Sequence, residues 1–125
     1  MTSNSDRSVT RLATTAGAFT AIAGTALLVL PDRTGPLIGL AAARDVRLVG
    51  ALDLALVPGL LLAWPRWPWL AARGVSNVAT AGFVLRRAHD DASRRNARLF
   101  TAALAVATFV DLRAARAART GEGSA

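Results

Sequence analysis

The chain has no cysteine, no lysine and no tyrosine, and only one histidine, His89, among 125 residues. Without cysteine there is no disulfide, no thiolate nucleophile and no cysteine-ligated metal. A histidine-based metal site would need several copies of the chain, so no metal is expected. Acidic residues are also scarce, eight against fifteen basic ones, and every basic one is arginine, giving a formal charge of +7. A chain this basic invites a nucleic-acid reading. The arginines argue against it, because they flank apolar runs instead of lining one face. The three tryptophans fall within Trp64 to Trp69 and provide no stacking platform. No nucleic-acid partner is expected. Gly17 and Gly24 follow no strand, and Gly35, Gly39 and Gly50 lack nucleotide-binding spacing. With no nucleophile–base set either, neither a cofactor nor catalysis is expected.

What the chain does have is apolar sequence in long pieces. Leu12 to Leu30 contains no charge and is closed by Pro31 and a polar turn, Asp32 to Pro36. About 20 apolar residues span a bilayer core, and this run qualifies. A cleavable signal peptide is the rival reading, on the small-x-small triplet Ala21-Ile22-Ala23. The apolar Leu27 to Leu30 after that site and the threonines before it favour a retained helix.

Leu48 to Pro65 is a second apolar run, with Asp53 its one charge and Pro58-Gly59 in its second half. A soluble helix would usually break at that pair, whereas membrane neighbours can satisfy the freed carbonyl. Trp64-Pro65-Arg66-Trp67-Pro68-Trp69 then reads as a tight interfacial hairpin, since tryptophan prefers the headgroup level and prolines force a turn. Trp69 to Leu85 is weaker, interrupted by Arg73, Ser76 and Asn77, and Leu99 to Leu112 is short. The charge-dense stretch Arg86 to Arg98 between them is expected to be a loop in water or headgroups. Small residues fill three of the four runs, as close packing of membrane helices favours.

These runs predict an all-α fold, an integral membrane four-helix bundle of up-down hairpins. Residues 1–11 form a polar tail, 12–115 the transmembrane domain and 116–125 a disordered tail, with spans at about 12–30, 47–65, 69–87 and 97–114. Orientation is undecided. Arg7, Arg11, Arg66, Arg73, Arg113, Arg116 and Arg119 fall on one side, against eight arginines on the other, so the positive-inside rule does not separate the two orientations.

Ionisable groups at membrane depth cost about 3 kcal/mol near the centre and usually face the interior. Folding each hairpin at its turn sets their levels. With a turn at Arg66, positions summing to about 132 lie level, placing Asp45 with Arg87 and Asp53 within a turn of Asn77. With a turn near Ala92, positions summing to about 184 lie level, placing Arg73 with Asp111. The candidate intramembrane polar network is therefore Asp53, Asn77, Arg73 and Asp111. Its expected members are an Arg73–Asp111 ion pair and an Asp53–Asn77 hydrogen bond, with Thr20 or Thr25 as further partners for Asp53. Arg44 and Arg47 sit in a first helical turn, where the macrodipole disfavours them. They are candidate contacts for a lipid headgroup or another anion, or partners for Asp32.

The run Ala43 to Leu54, then Pro65-Arg66-Trp67-Pro68-Trp69, then Ala72-Arg73 with Asn77, resembles small bacterial four-helix membrane proteins of unknown function. These are loosely similar to the DoxX-like group. The resemblance covers roughly residues 37–115 and implies a four-helix membrane protein with an Arg-Asp opening of its second helix, without an established activity. The expectation is a non-enzymatic accessory or assembly partner, multi-pass in the cytoplasmic membrane. Its partners would be the lipid bilayer and a second copy or another membrane protein. The alternatives are a small oligomeric transporter or channel using Asp53, and a membrane redox or quinone-associated subunit.

Overall fold

The computed structural model describes residues 4–63 and 65–122. Over these residues the chain is all-helical: α1 Asn4–Val29, α2 Pro31–Ile38, α3 Ala43–Leu62, α4 Trp67–Arg87 and α5 Asp91–Glu122.

Prolines and one glycine set most of the boundaries. Leu30 precedes Pro31, and proline's Cδ pushes the preceding residue out of the helical region; Leu30 sits at φ −123°, ψ 53°. Pro31 then opens α2, where its missing N–H costs nothing and Asp32 suits the positive end of the dipole. The expected polar turn at Asp32 to Pro36 is thus a short helix. It ends at Gly39, whose φ of +83° a side chain would strain. A Cβ there would also lie 2.5 Å from the Ser93 carbonyl oxygen. Pro58 lies inside α3 without ending it. Pro68 falls in the first turn of α4, and Arg86 and Arg87 occupy its last turn, where cations are favoured.

Three other expectations are corrected by helix length. The N-terminal tail is helical from Asn4, and the C-terminal tail continues α5 as far as Glu122. The loop expected over Arg86 to Arg98 shrinks to residues 88–90. Arginine and alanine are good helix formers, so charge that ends an apolar run need not end a helix. The tryptophan hairpin narrows in the same way: Trp67 and Trp69 already belong to α4 and are half-buried, while Trp64 lies outside the described residues.

Pairs of contacting residues give the directions of the helices. Gly24 of α1 meets Gly50 and Leu54 of α3, and Gly17 meets Leu60 and Leu61, so α1 and α3 are antiparallel. Arg73 and Gly74 of α4 meet Asp111 and Leu112 of α5, while Val84 and Ala88 at the other end share a cluster with Ala97, so α4 and α5 are antiparallel too. These two close pairs join along narrower seams, α3 with α4 and α1 with α5, while α2 crosses one end against α5.

The interior is layered. At the α2 end, Leu27, Ile38, Leu40, Val46, Val49, Val84, Ala88 and Ala97 form one apolar cluster. At the other end, Ala13, Leu60, Leu70 and Ala115 form a second, with Trp67 and Trp69 against it. Among the described residues one helix, α1 over Arg7–Val29, is long and apolar enough to cross a membrane, at mean hydropathy 1.7. A buried core helix or an N-terminal signal segment would meet the same measure.

Candidate functional site

Between the two apolar clusters lies a polar layer. On α4, Leu70, Arg73, Gly74, Asn77, Thr80 and Val84 are buried, the i, i+3, i+4 spacing that puts residues on one helix face. Arg73 therefore points inward by the same periodicity that buries Leu70. Its Nη1 lies 2.5 Å from Asp111 Oδ2, with Arg73 9% and Asp111 2% exposed. Its Nε donates to Thr20 Oγ1 at 3.0 Å, so one guanidinium ties α4 to both α5 and α1. A buried charge is tolerable only when paired and hydrogen-bonded, and this one is. Gly74 beside it lets Leu112 come close.

Asp53, Arg73, Asn77, Thr20 and Thr80 share the wall of a cavity of about 220 Å³ to which all five helices contribute. Asp53 leans on Gly24 of α1, where a side chain would crowd it. The hydrogen bond expected between Asp53 and Asn77 is not made. Asn77 Nδ2 is buried without a partner, and no hydrogen bond among the described residues reaches Asp53. The two share one cavity wall without bonding to each other. Thr25 is no partner for Asp53 either: it is exposed and donates to the Ala21 carbonyl of its own helix at 2.7 Å.

Arg44 and Arg47 are exposed and line an open groove at the start of α3 with Asp45, Leu48, Phe83 and Arg87. Among the described residues neither pairs with Asp32. Asp45 instead faces Arg87, Oδ2 to Nε 3.6 Å, and the Arg87 guanidinium lies 5.4 Å from the Phe83 ring centre.

Two tethers have little signal in the sequence. Thr20, expected only as a partner for Asp53, serves Arg73; nothing in the threonine-rich α1 marks which threonine faces inward. Arg66, expected as a hairpin arginine, reaches across to α1. Its Nη1 donates to Thr14 Oγ1 at 2.9 Å and to the Thr10 carbonyl at 3.3 Å, and its Nη2 donates to the Leu61 carbonyl at 3.1 Å. Helix ends leave carbonyls that an arginine can satisfy, which is the one signal that could have found it. Asn96 does similar work at the other end, donating to the Pro36 carbonyl of α2 at 2.8 Å.

Chemically, Arg73 is committed to its partners, while Asp53 and Asn77 remain free to meet something else in the cavity. No group of three His, Cys, Asp or Glu able to hold a metal occurs among the described residues. Comparison of the chain with protein-family models, with curated proteins and with solved structures finds no match.

Proposed function

We propose that this is an integral protein of the cytoplasmic membrane, crossing it with α1, α3, α4 and α5 as an up-down four-helix bundle. In this reading it serves there as a non-enzymatic accessory or assembly partner. The observation that carries it is an inverted distribution of polarity. Phe19, Ile22, Leu62, Val75, Leu99, Val106 and Phe109 are 65–83% exposed, while Arg73, Asp111, Thr20, Asn77 and Thr80 are at most 9% exposed. All four long helices carry such apolar outer faces. In water, exposed large apolar side chains on every long helix would be unfavourable unless a partner or a membrane covered them. In hydrocarbon this surface is matched to its solvent, and the interior is where polar groups belong.

Lengths support the same reading. With 20 and 21 residues, α3 and α4 are each about 30 Å long, the thickness of a bilayer core. On α5 the apolar stretch Leu99 to Leu112 is bounded by Arg98 and Arg113, whose long stems can carry their charge to the headgroups. A partner helix would find a fitting surface on α4, where Ala72, Val75, Ala79 and Gly82 face outward. A Cβ at Gly82 would touch nothing, and small residues allow membrane helices to approach closely. That partner is a second copy or another membrane protein. Kinship with the DoxX-like group belongs to this proposal and rests on the residues of Ala43 to Leu54, Pro65 to Trp69, Arg73 and Asn77.

Asp53 on the cavity wall favours a second reading, a small oligomeric transporter or channel. Against a pore through a single copy stand the apolar clusters, which seal both ends with Leu40, Val46, Leu60 and Leu70, each at most 1% exposed. A pathway would have to run between copies.

The test uses the absence of native cysteine. Single cysteines at Ser3, Ser93 and Ser124 are expected to label from one side for residues 3 and 124 and from the other for residue 93. The protein is expected to stay with membranes through an alkaline carbonate wash. Release by carbonate, or labelling of 3 and 124 on opposite sides, overturns the four crossings.

A further inference from the structure

Two polar groups in the cavity are left without a hydrogen bond among the described residues. Asn77 is 6% exposed, yet its Nδ2 has no partner, although buried amides in native structures nearly always find one. Asp53 lines the same cavity without a hydrogen bond from any described residue. Arg73, the other charged group there, is already held by Asp111 and Thr20. The rest of the wall is mostly apolar, including Leu27, Ile38, Phe100 and Leu104. Phe19 and Leu37, also lining it, are 66% and 70% exposed, so the mouth lies between α1 and α2 and is itself apolar.

We propose that this cavity binds a small neutral molecule bearing a hydroxyl group on an apolar ring or short chain. A hydroxyl satisfies both free groups at once: its O–H donates to the Asp53 carboxylate, and its oxygen accepts from Asn77 Nδ2. A cation would meet Asp53 but leave the amide donor unmet and lie beside Arg73. An anion would face the Asp53 carboxylate, while the charge of Arg73 is already balanced by Asp111. The volume of about 220 Å³ equals roughly seven waters at ~30 Å³ each. Buried waters need two to four polar partners apiece, and this wall offers too few for so many. An apolar body with one polar end fits the lining, as small-molecule sites generally do. Access from the bilayer through the Phe19 and Leu37 mouth rests on the membrane reading; binding to Asp53 and Asn77 does not.

The experiment is isothermal titration calorimetry of the full chain in lipid nanodiscs, with empty nanodiscs subtracted to remove partitioning. Phenol is the probe, and toluene, benzylammonium and benzoate are its matched controls. Phenol is expected to bind saturably, one per chain, about tenfold tighter than toluene, the difference one buried hydrogen bond makes. Asn77→Leu is expected to reduce that advantage severalfold, leaving the bond to Asp53, and to leave toluene unchanged. Leu104→Trp, which fills the cavity, is expected to abolish both, and circular dichroism checks that each variant remains helical. If Asn77→Leu does not fold, Leu104→Trp alone still decides whether the cavity is the site. The proposal is overturned by no saturable phenol signal, by equal binding of phenol and toluene, or by tighter binding of either charged probe. None of these outcomes bears on the four crossings, which the labelling of residues 3, 93 and 124 reads separately.

Discussion

At its two ends the interior is closed by apolar side chains: Leu40 and Val46 beside α2, Leu60 and Leu70 near the start of α4, all at most 1% exposed. In the middle, at comparable burial, stand Arg73, Asp111, Thr20 and Asn77 beside a cavity. The two regions are held by different physics. On the membrane reading proposed above, the ends depend on shape, since a leucine would gain little by exchanging lipid for protein beyond closer packing. The middle depends on pairing, since each charge there is tolerable only while its partner is present. A loss at the ends is therefore graded with volume, whereas a loss in the middle is close to all or none.

The sharpest way to break the comparison is to remove one partner of the buried pair. Asp111→Leu leaves the Arg73 guanidinium buried with Thr20 as its remaining hydrogen-bond partner and Asp53 on the same cavity wall, and is expected to cost about 3 kcal/mol. Arg73→Met combined with Asp111→Leu removes both charges and is expected to recover most of that loss. Reversible unfolding in mixed micelles would measure both. If the single variant costs no more than the double, a buried Arg73 without Asp111 carries no penalty of its own, and the all-or-none behaviour of the middle layer is overturned.

At the apolar end, Leu70→Ala removes a side chain with no exposure. Leucine-to-alanine changes cost about 2–5 kcal/mol in water-soluble cores, part of it transfer from water and part the cavity left behind. In a bilayer the transfer part shrinks, so a loss of about 2 kcal/mol is expected. A loss near the upper limit, in the same unfolding assay, would point to a water-solvated reference state and count against the membrane reading.

A smaller effect is expected where α1 and α3 touch backbone to backbone. A Cβ at Gly50 would lie 2.7 Å from the Gly24 carbonyl oxygen, which cannot move aside as a flexible side chain would. Gly50→Ala is therefore expected to cost about 1–2 kcal/mol by overpacking. Gly82→Ala, on the open face of α4, is expected to be neutral or to gain up to about 1 kcal/mol of helix propensity. Equal effects at the two glycines would show that α1 and α3 are not in close contact.

The same contrast explains what could be read from the sequence. The long helices follow from apolar runs and proline breaks, and two antiparallel hairpins with equal rise per residue then fix which positions lie level. That arithmetic places Arg73 opposite Asp111 and Asp45 opposite Arg87, as the structure has them. It carries axial position but no lateral information. The Asp53–Asn77 bond fails for that reason: the two residues lie near one level, yet no bond joins them across the cavity they line. The role of Thr20 is hidden likewise, because facing inward depends on the rotation of α1 about its axis. The short α2 is hard to foresee because proline and glycine read as a turn, although proline at a first helical position is favourable.

The smallest expected effect lies outside the layered interior, at the α4–α5 turn, where the comparison should have no force. Asp90 precedes α5 and caps it: the Ser93 backbone N–H donates to Oδ1 and the Ser93 hydroxyl to Oδ2, both at 2.8 Å. These bonds, the backbone one foremost, hold the Asp90 carboxyl below its ordinary value of 3.8. A carboxyl whose folded pKa is depressed contributes stability that is present above its unfolded pKa and lost as pH falls through the folded one. Asp90→Ala is therefore expected to lower stability slightly at pH 7. The gap from the parent protein should close as the pH is taken well below 3.8. Asp90→Asn, which keeps an acceptor oxygen without the charge, should fall between the two at pH 7. Melting temperatures of the three proteins across that range would check this. A gap that persists at low pH would mean that the carboxylate is not what caps α5. Because the carboxylate is exposed and far from both Arg73 and Leu70, the loss should add to that of Asp111→Leu or Leu70→Ala without coupling to either.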